Sequence, residues 1–199
     1  MARTLLIPGL DGSPAPHWQA WWQAREPNAL TIHQDDWSNP TPEAWEAEVA
    51  GAVLQHPGSI LVAHSLGCLV VARLLAQWPQ LNIAGALLVA PADPRRSGRL
   101  SRFAQVPRIG FGVPVTVAAS RNDPWMAHED AVALAGDWGA EFVDLGAVGH
   151  VNVASGFGPW PQGMGLRDAL VRRARVQAQA RVQVWPRAAD PAARARGMA

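Results

Sequence analysis

Ile60-Leu-Val-Ala-His-Ser-Leu-Gly67 decides how this chain is read. Ile60–Ala63 is a short apolar run of strand type, and the residues after Gly67 carry a helical pattern to about Gln77, just before Pro79. Between them the chain must turn sharply at His64-Ser65-Leu66-Gly67. A serine in a strained strand-to-helix turn needs small residues two positions before and after it, the pattern G-x-S-x-G. Here Ala63 stands for the first glycine and Gly67 keeps the second. The helix start behind Ser65 offers positive potential and a free amide, that of Leu66, to a developing oxyanion. The plainer reading of Ser65 is an N-cap at a strand–helix junction. His64 is adjacent, but side chains of neighbouring turn residues diverge; Cys68, one turn into the helix, reads as a small core residue.

Working outward, short apolar runs alternate with helical segments, the rhythm of an α/β fold with a parallel sheet. Upstream come a strand at Thr4–Ile7, a Trp-rich helix from His17 to about Glu26, a strand at Ala29–Ile32 and a helix at Thr41–His56. Thr41 can cap that helix, Pro42 suits its first position, and Trp45, Val49, Ala52, Val53 and His56 form its apolar stripe. Downstream, Ile83–Val89 reads as a central strand buried on both faces. Residues 90–112, with five Arg among Pro and Gly, read as an irregular excursion or a short helix. Strands follow at Pro114–Ala119 and Glu141–Leu145, with a helix at Glu129–Ala135 between them. Leu166, Leu170, Ala174, Ala178, Val182 and Trp185 suit a last helix, although Val182–Trp185 also suits a strand.

If Ser65 is a nucleophile on an α/β-hydrolase sheet, an acid and then a histidine should follow it, each on a loop after a strand. Asp123 follows the fifth strand in Ser120-Arg-Asn-Asp-Pro-Trp125, and Pro124 favours a turn that projects the carboxylate. His150 follows the sixth strand in Gly146-Ala-Val-Gly-His150. His150 would take the serine proton and Asp123 would hold the imidazole tautomer. His128 and Asp144 are the nearest rivals and read as a rim residue and a solvated strand end; His33 and His56 read as structural or surface residues. The second oxyanion donor belongs on the loop after the first strand, Pro8-Gly-Leu-Asp-Gly-Ser13, where the Leu10 amide is the candidate beside that of Leu66.

Composition narrows the classes. At 199 residues the chain suits one domain of ordinary size. With 49% hydrophobic and 17% charged residues it is not a disordered chain. One cysteine excludes an internal disulfide framework. No apolar run reaches the ~18 residues of a membrane span, and the N-terminal apolar stretch is too short for a signal peptide, so a cytoplasmic protein is the expectation. The net charge of +1 hides an asymmetry: residues 1–166 hold nine Arg against fourteen acids, and residues 167–199 hold eight Arg against two. The basic end reads as a solvated helix face followed by a disordered Arg/Ala-rich tail at 186–199, after a domain spanning 1–185; no nucleic-acid partner is expected.

Pro8-Gly-Leu-Asp-Gly-Ser13, His17-Trp-Gln19, Trp21, Asp36-Trp37, the His-Ser-Leu-Gly turn, Ser120-Arg-Asn-Asp-Pro-Trp125, Gly149-His150 and Ser155-Gly-Phe-Gly-Pro-Trp-Pro161 resemble the small serine hydrolases of the retinoblastoma-binding-protein-nine type, also called YdeN-like. The resemblance covers about residues 3–173 and does not reach the Arg-rich end. It implies a compact α/β-hydrolase fold that lacks the two leading antiparallel strands and any large cap, with Ser65, Asp123 and His150 as the triad. Six mostly parallel strands in the order 2-1-3-4-5-6, with helices on both faces, are therefore expected. The function expected is hydrolysis of a small ester-type acyl bond through an acyl-enzyme, with a small-molecule acyl substrate and no metal or organic cofactor. A peptidase or thioesterase would use the same triad, and a non-catalytic binding protein could keep the fold. Trp18, Trp37, Trp125 and Trp160 fall near the loops around the triad and are candidate walls for an apolar substrate group; Trp45 and Trp78 read as structural.

Overall fold

The computed structural model describes residues 2–184. Six strands, β1 (Thr4–Ile7), β2 (Ala29–Thr31), β3 (Ser59–His64), β4 (Ile83–Val89), β5 (Val115–Ala119) and β6 (Glu141–Asp144), form one sheet in the order β2-β1-β3-β4-β5-β6. Every neighbouring pair is parallel, so the sheet is wholly rather than mostly parallel. The helices α1 (Trp18–Arg25), α2 (Pro42–Gln55), α3 (Leu66–Gln77), α4 (His128–Asp137) and α5 (Pro161–Val184) cover both faces.

Strand residues alternate between two apolar layers because successive side chains point to opposite faces. Leu5, Ile7, Leu61, Ala63, Ala86, Leu88, Val117 and Ala119 face one layer, closed by Trp45, Val49 and Val53 of α2, most of α3, and Ala131, Leu134 and Ala135 of α4. Leu6, Ile60, Val62, Leu87, Val89 and Ala118 face the other, closed by Trp18 and Trp22 of α1 and Leu170 of α5. β4 supplies both layers, as its unbroken apolar run predicts. Within α2, Ala52 and His56 lie only half-buried, while Glu46 is buried and ion-paired with Arg73 of α3. An apolar-stripe reading has no place for such a pair.

Residues 90–112 hold two 3-10 turns, Pro94–Arg96 and Gly98–Phe103, pinned by buried Leu100 and Phe103. α5 starts at Pro161, earlier than its apolar period shows, because Gly163 and Gly165 interrupt the period. Val182–Val184 continue this helix rather than forming a strand. Trp185 and the 186–199 segment lie outside the described residues. Trp78, expected to be structural, is half-exposed just past the end of α3, where the chain has already left the sheet.

The junction that positions the site is the meeting of β1's end with the first turn of α3. A Cβ on Gly67 would sit 2.5 Å from the Ile7 carbonyl oxygen and 2.6 Å from that of Pro8. Both are backbone atoms and cannot swing aside. Gly51 of α2, by contrast, faces open space. Gly67→Ala should lower stability in urea by about 1–3 kcal/mol, the cost of overpacking. Gly51→Ala should be neutral or stabilising by about 0.5–1 kcal/mol, because alanine is the better helix former. Equal effects at the two positions would show that the β1–α3 approach is not tight.

Candidate active site

β3 ends at His64, α3 begins at Leu66, and Ser65 between them has φ 55° and ψ −120°. A non-glycine residue at positive φ is strained and persists only where its surroundings hold it. Here the Ser65 N–H donates to the Val89 carbonyl at 3.1 Å, and the Ser65 carbonyl accepts from the Cys68 N–H at 3.0 Å. Ser65 makes no side-chain cap bond to α3, so the plain N-cap reading does not describe it. The side chain is instead turned toward His150: its hydroxyl donates to His150 Nε2 at 2.9 Å.

His150 Nδ1–H in turn donates to both carboxylate oxygens of Asp123, at 2.9 and 2.8 Å. All three side chains are largely buried. Their loops leave the sheet at the C-terminal ends of β3, β5 and β6, where ligand sites form in open parallel sheets. The loops after β5 and β6 are laced together. Ser120 Oγ accepts from the Val148 N–H at 3.0 Å, and Asn122 Oδ1 from the Gly149 N–H at 2.7 Å. Asp123 Oδ1 also accepts the Trp125 N–H at 2.8 Å. Beyond the histidine, Ser155 Oγ accepts the His150 N–H at 3.0 Å. Gly149 and Val151 flank it at φ 68° and 51°. Sequence reading did not assign Ser120, Asn122 or Ser155 to this role; their signal was only that each sits in a motif containing Asp123 or following His150.

Two further histidines stand behind His150. The His17, His64 and His150 rings follow one another with centroids 5.0 and 4.9 Å apart. His64, set aside at the turn, donates its Nε2–H to the backbone carbonyl of His150 at 2.9 Å and so holds the His150 loop rather than the nucleophile. Burial, with the nearby His150, keeps the His64 imidazole well below its usual pKa. Burial also lowers that of His17, to about 4, with a smaller contribution from His150. His17 caps α1, its Nδ1 accepting the Gln19 N–H at 3.2 Å. Gln19 Nε2 donates to the carbonyls of Ile7 and Val62, both at 3.2 Å, which fastens α1 across β1 and β3.

A cleft of about 490 Å³ opens over Ser65 and His150, walled by Leu10, Leu100, Trp125, Val153 and the Gly9–His17 loop. No hydrogen bond occupies the amide N–H of Leu10 or of Leu66 among the described residues. Of the four tryptophans read as possible walls, Trp125 alone lines the cleft, half-exposed, with its ring 6.4 Å from that of His150. Trp18 is fully buried, its Nε1–H donating to the Val151 carbonyl at 2.9 Å, and packs edge-on against Trp160. Both belong to the core behind the His150 loop. Trp37 packs edge-on against Trp45 and does not line the cleft.

The rivals lie apart from this constellation. Asp144 is ion-paired with Arg121, which holds its carboxyl below the usual range; His128 opens α4 and packs edge-on against Phe142. His33 is exposed and His56 half-buried. Cys68 is buried, and burial pushes its thiol far up. At the cleft's edge, Arg99 donates to the Asp11 carboxylate at 3.0 and 2.7 Å and to the Ser38 carbonyl, tying the Gly98–Phe103 turn to the loop after β1. Among the described residues, no group of three or more His, Cys, Asp or Glu is arranged to hold a metal ion, and no helix is long and apolar enough to cross a membrane.

Comparison with known proteins agrees with this architecture. A family model described as serine hydrolase matches residues 4–168. A putative YdeN-like hydrolase from Pectobacterium atrosepticum is 33% identical, with a TM-score of 0.80 over 87% of this chain and 92% of that one. The ydeN gene product from B. subtilis is 22% identical, with a TM-score of 0.72 over 85% of this chain and 98% of that one. An α/β hydrolase from a lagoon-sediment metagenome, 13% identical, shares the fold at a TM-score of 0.68, covering 87% and 92%. No curated protein matches the chain. The chain belongs to the serine hydrolase family, as a compact α/β hydrolase of the YdeN-like kind.

Proposed function

We propose that the protein hydrolyses small esters through a Ser65-His150-Asp123 triad. One observation carries this reading: the unbroken hydrogen-bonded row from Ser65 Oγ through His150 to Asp123, ending on a strained turn at the floor of a cleft. Ser65 Oγ attacks the ester carbonyl carbon while His150 Nε2 takes its proton. The Leu10 and Leu66 N–H groups receive the negative charge that gathers on the carbonyl oxygen. The C–O bond breaks, the alcohol departs with the proton from His150, and the acyl group remains on Ser65. Water then adds to the acyl carbon, losing a proton to His150; the acid is released and the proton returns to Ser65. Asp123 keeps the His150 proton on Nδ1 and stabilises the imidazolium.

Leu10, Leu100, Trp125 and Val153 offer apolar contact to a short acyl or aryl group. Among the described residues no large insertion covers the sheet, so the cleft favours short or flat esters over long chains. The single cysteine, buried and unpaired, accords with a cytoplasmic setting. The same triad serves enzymes cleaving esters, thioesters and amides; the mostly apolar cleft favours small uncharged esters.

Ser65→Ala and His150→Ala should each lower kcat/KM on a short p-nitrophenyl ester by about 10⁴-fold or more, as loss of a triad member does elsewhere. Ser65→Ala should also abolish fluorophosphonate labelling. Labelling that persists in Ser65→Ala would remove the nucleophile assignment. Equal kcat/KM for Ser65→Ala and wild type would remove the triad mechanism.

The buried histidines make a separate, thermodynamic signature. His17 and His64 bind protons in the unfolded chain below about pH 6.5 but remain neutral when folded, so the unfolded state takes up more protons as the pH falls. Stability should be full above pH 6.5 and decline as the pH falls from 6.5 toward 4, by roughly 3 kcal/mol from His17 alone. Urea unfolding at a series of pH values measures this. A His17→Asn variant should show a shallower decline, and an unchanged slope would show that His17 does not titrate this way.

A further inference from the structure

The Leu10 amide belongs to a turn that presses on Ser65. The Gly12 N–H donates to the Gly9 carbonyl at 3.1 Å and closes the turn over residues 9–12. That carbonyl and the Leu10 N–H share one peptide unit. The unit is planar and trans, so the two groups point in opposite directions, and whatever fixes the carbonyl fixes the amide. The turn abuts Ser65 directly: a Cβ on Gly9 would lie 2.8 Å from Ser65 Cβ and 3.3 Å from Ser65 Oγ. A small rotation of this turn therefore re-aims the Leu10 N–H relative to Ser65.

The third residue of the turn is Asp11, at φ 62°, a position where positive φ ordinarily calls for glycine. Aspartate tolerates it better than most residues, but only where the surroundings hold it. Arg99 holds it. Its Nη1 and Nη2 donate to the two Asp11 carboxylate oxygens at 3.0 and 2.7 Å. The same guanidinium donates to the Ser38 carbonyl, from Nε at 3.1 Å and from Nη2 at 3.0 Å, and to the Trp37 carbonyl at 3.4 Å. Its planar fork is thus fixed by a second segment while it grips the carboxylate. Arg99 itself stands on the Gly98–Phe103 turn, which buried Leu100 and Phe103 anchor in the core. The Trp37 ring backs the turn from outside, 3.7 Å from where a Gly12 Cβ would sit. The Arg99 and Asp11 side chains are 43% and 62% exposed, and pairs so exposed add little to global stability. What so many bonds from one guanidinium supply is direction.

We propose that Arg99, acting through the Asp11 carboxylate, sets the direction of the Leu10 N–H and is a positioning residue for the oxyanion hole. This deepens the triad reading and rests on it. Arg99 does not line the cleft, so it acts through the turn and not on the substrate.

Arg99→Gln keeps a polar side chain but loses the fork. On a short p-nitrophenyl ester it should lower kcat about tenfold with KM held within about twofold, the pattern of an interaction made only in the transition state. That is part of the roughly 10²–10³-fold lost when an oxyanion donor is removed outright. The melting temperature should stay within about 3 °C of wild type. Arg102→Gln, which removes an exposed arginine from the same turn, should leave kcat in place. Asp11→Gly removes the carboxylate and adopts the same φ unaided. In that background Arg99→Gln should change kcat by less than about twofold, because its route to Leu10 is gone.

A fall in kcat of less than about threefold in Arg99→Gln overturns the proposal. So does an undiminished fall in the Asp11→Gly background, which would place the action of Arg99 elsewhere. A melting temperature lowered by more than about 10 °C also overturns it, by showing that Arg99 holds the fold rather than the amide. Fluorophosphonate labelling of the wild type at Ser65 is measured first. No labelling defeats the hydrolase reading and the positioning role with it, whereas labelling with kcat unchanged in Arg99→Gln defeats the positioning role alone.

Discussion

The close approach of α3 to the end of β1 is the constraint on which the rest of the site depends. Gly67 lets the first turn of the helix press against the carbonyls of Ile7 and Pro8. That contact forces Ser65 into a positive-φ turn, lifts its hydroxyl off the helix axis and leaves the Leu66 amide free. It also brings the loop after β1, with Leu10, Ser13 and His17, to the edge of the same cleft. A bulkier residue at Gly67 would part the two elements and disperse Ser65, the Leu10 and Leu66 amides and the cleft wall together. Gly9 makes the matching allowance on the other side, since a Cβ there would sit 2.8 Å from the Cβ of Ser65.

Strain of this kind survives because the surroundings are rigid. β3 and β4 are buried on both faces, and α3 is buried along most of its length. His150 is held with equal redundancy. Ser155 fixes the amide of His150, His64 its carbonyl, Asp123 its imidazole, and Ser120 and Asn122 the residues just before it. In the proposed mechanism, a base positioned from so many directions costs little reorganisation when the reaction begins. Aromatic packing backs the same loop: Trp18 packs edge-on against Trp22 and Trp160, and the indole N–H groups of Trp18 and Trp22 donate to the carbonyls of Val151 and Trp160. Three of the ten tryptophans thus pack behind the His150 loop.

Much of this was legible in residue order. Strand and helix positions followed from apolar runs and from Pro and Gly punctuation, because those signals are local. Ser65, Asp123 and His150 stood out because each follows a strand at the proper place in the chain. What stayed hidden was of two kinds. The Glu46–Arg73 pair and the His64-to-His150 bond join residues 27 and 86 positions apart, and no local pattern announces them. The first turn of α5 was masked by its glycines, whose missing side chains remove the apolar period.

The tryptophans mark the boundary most clearly. Residue order alone settled that Trp18, Trp37, Trp125 and Trp160 lie on segments near the loops of Ser65, Asp123 and His150, along with the α/β layout, and it singled out those three residues, which the fold brings into one hydrogen-bonded row. Which way each ring points was settled by packing. Trp18 and Trp160 turn into the layer beneath the sheet, and Trp125 turns into the cleft. A side chain's face depends on the helix phase and on the neighbours that compete for the same space, and those are set by contacts between residues far apart in the chain.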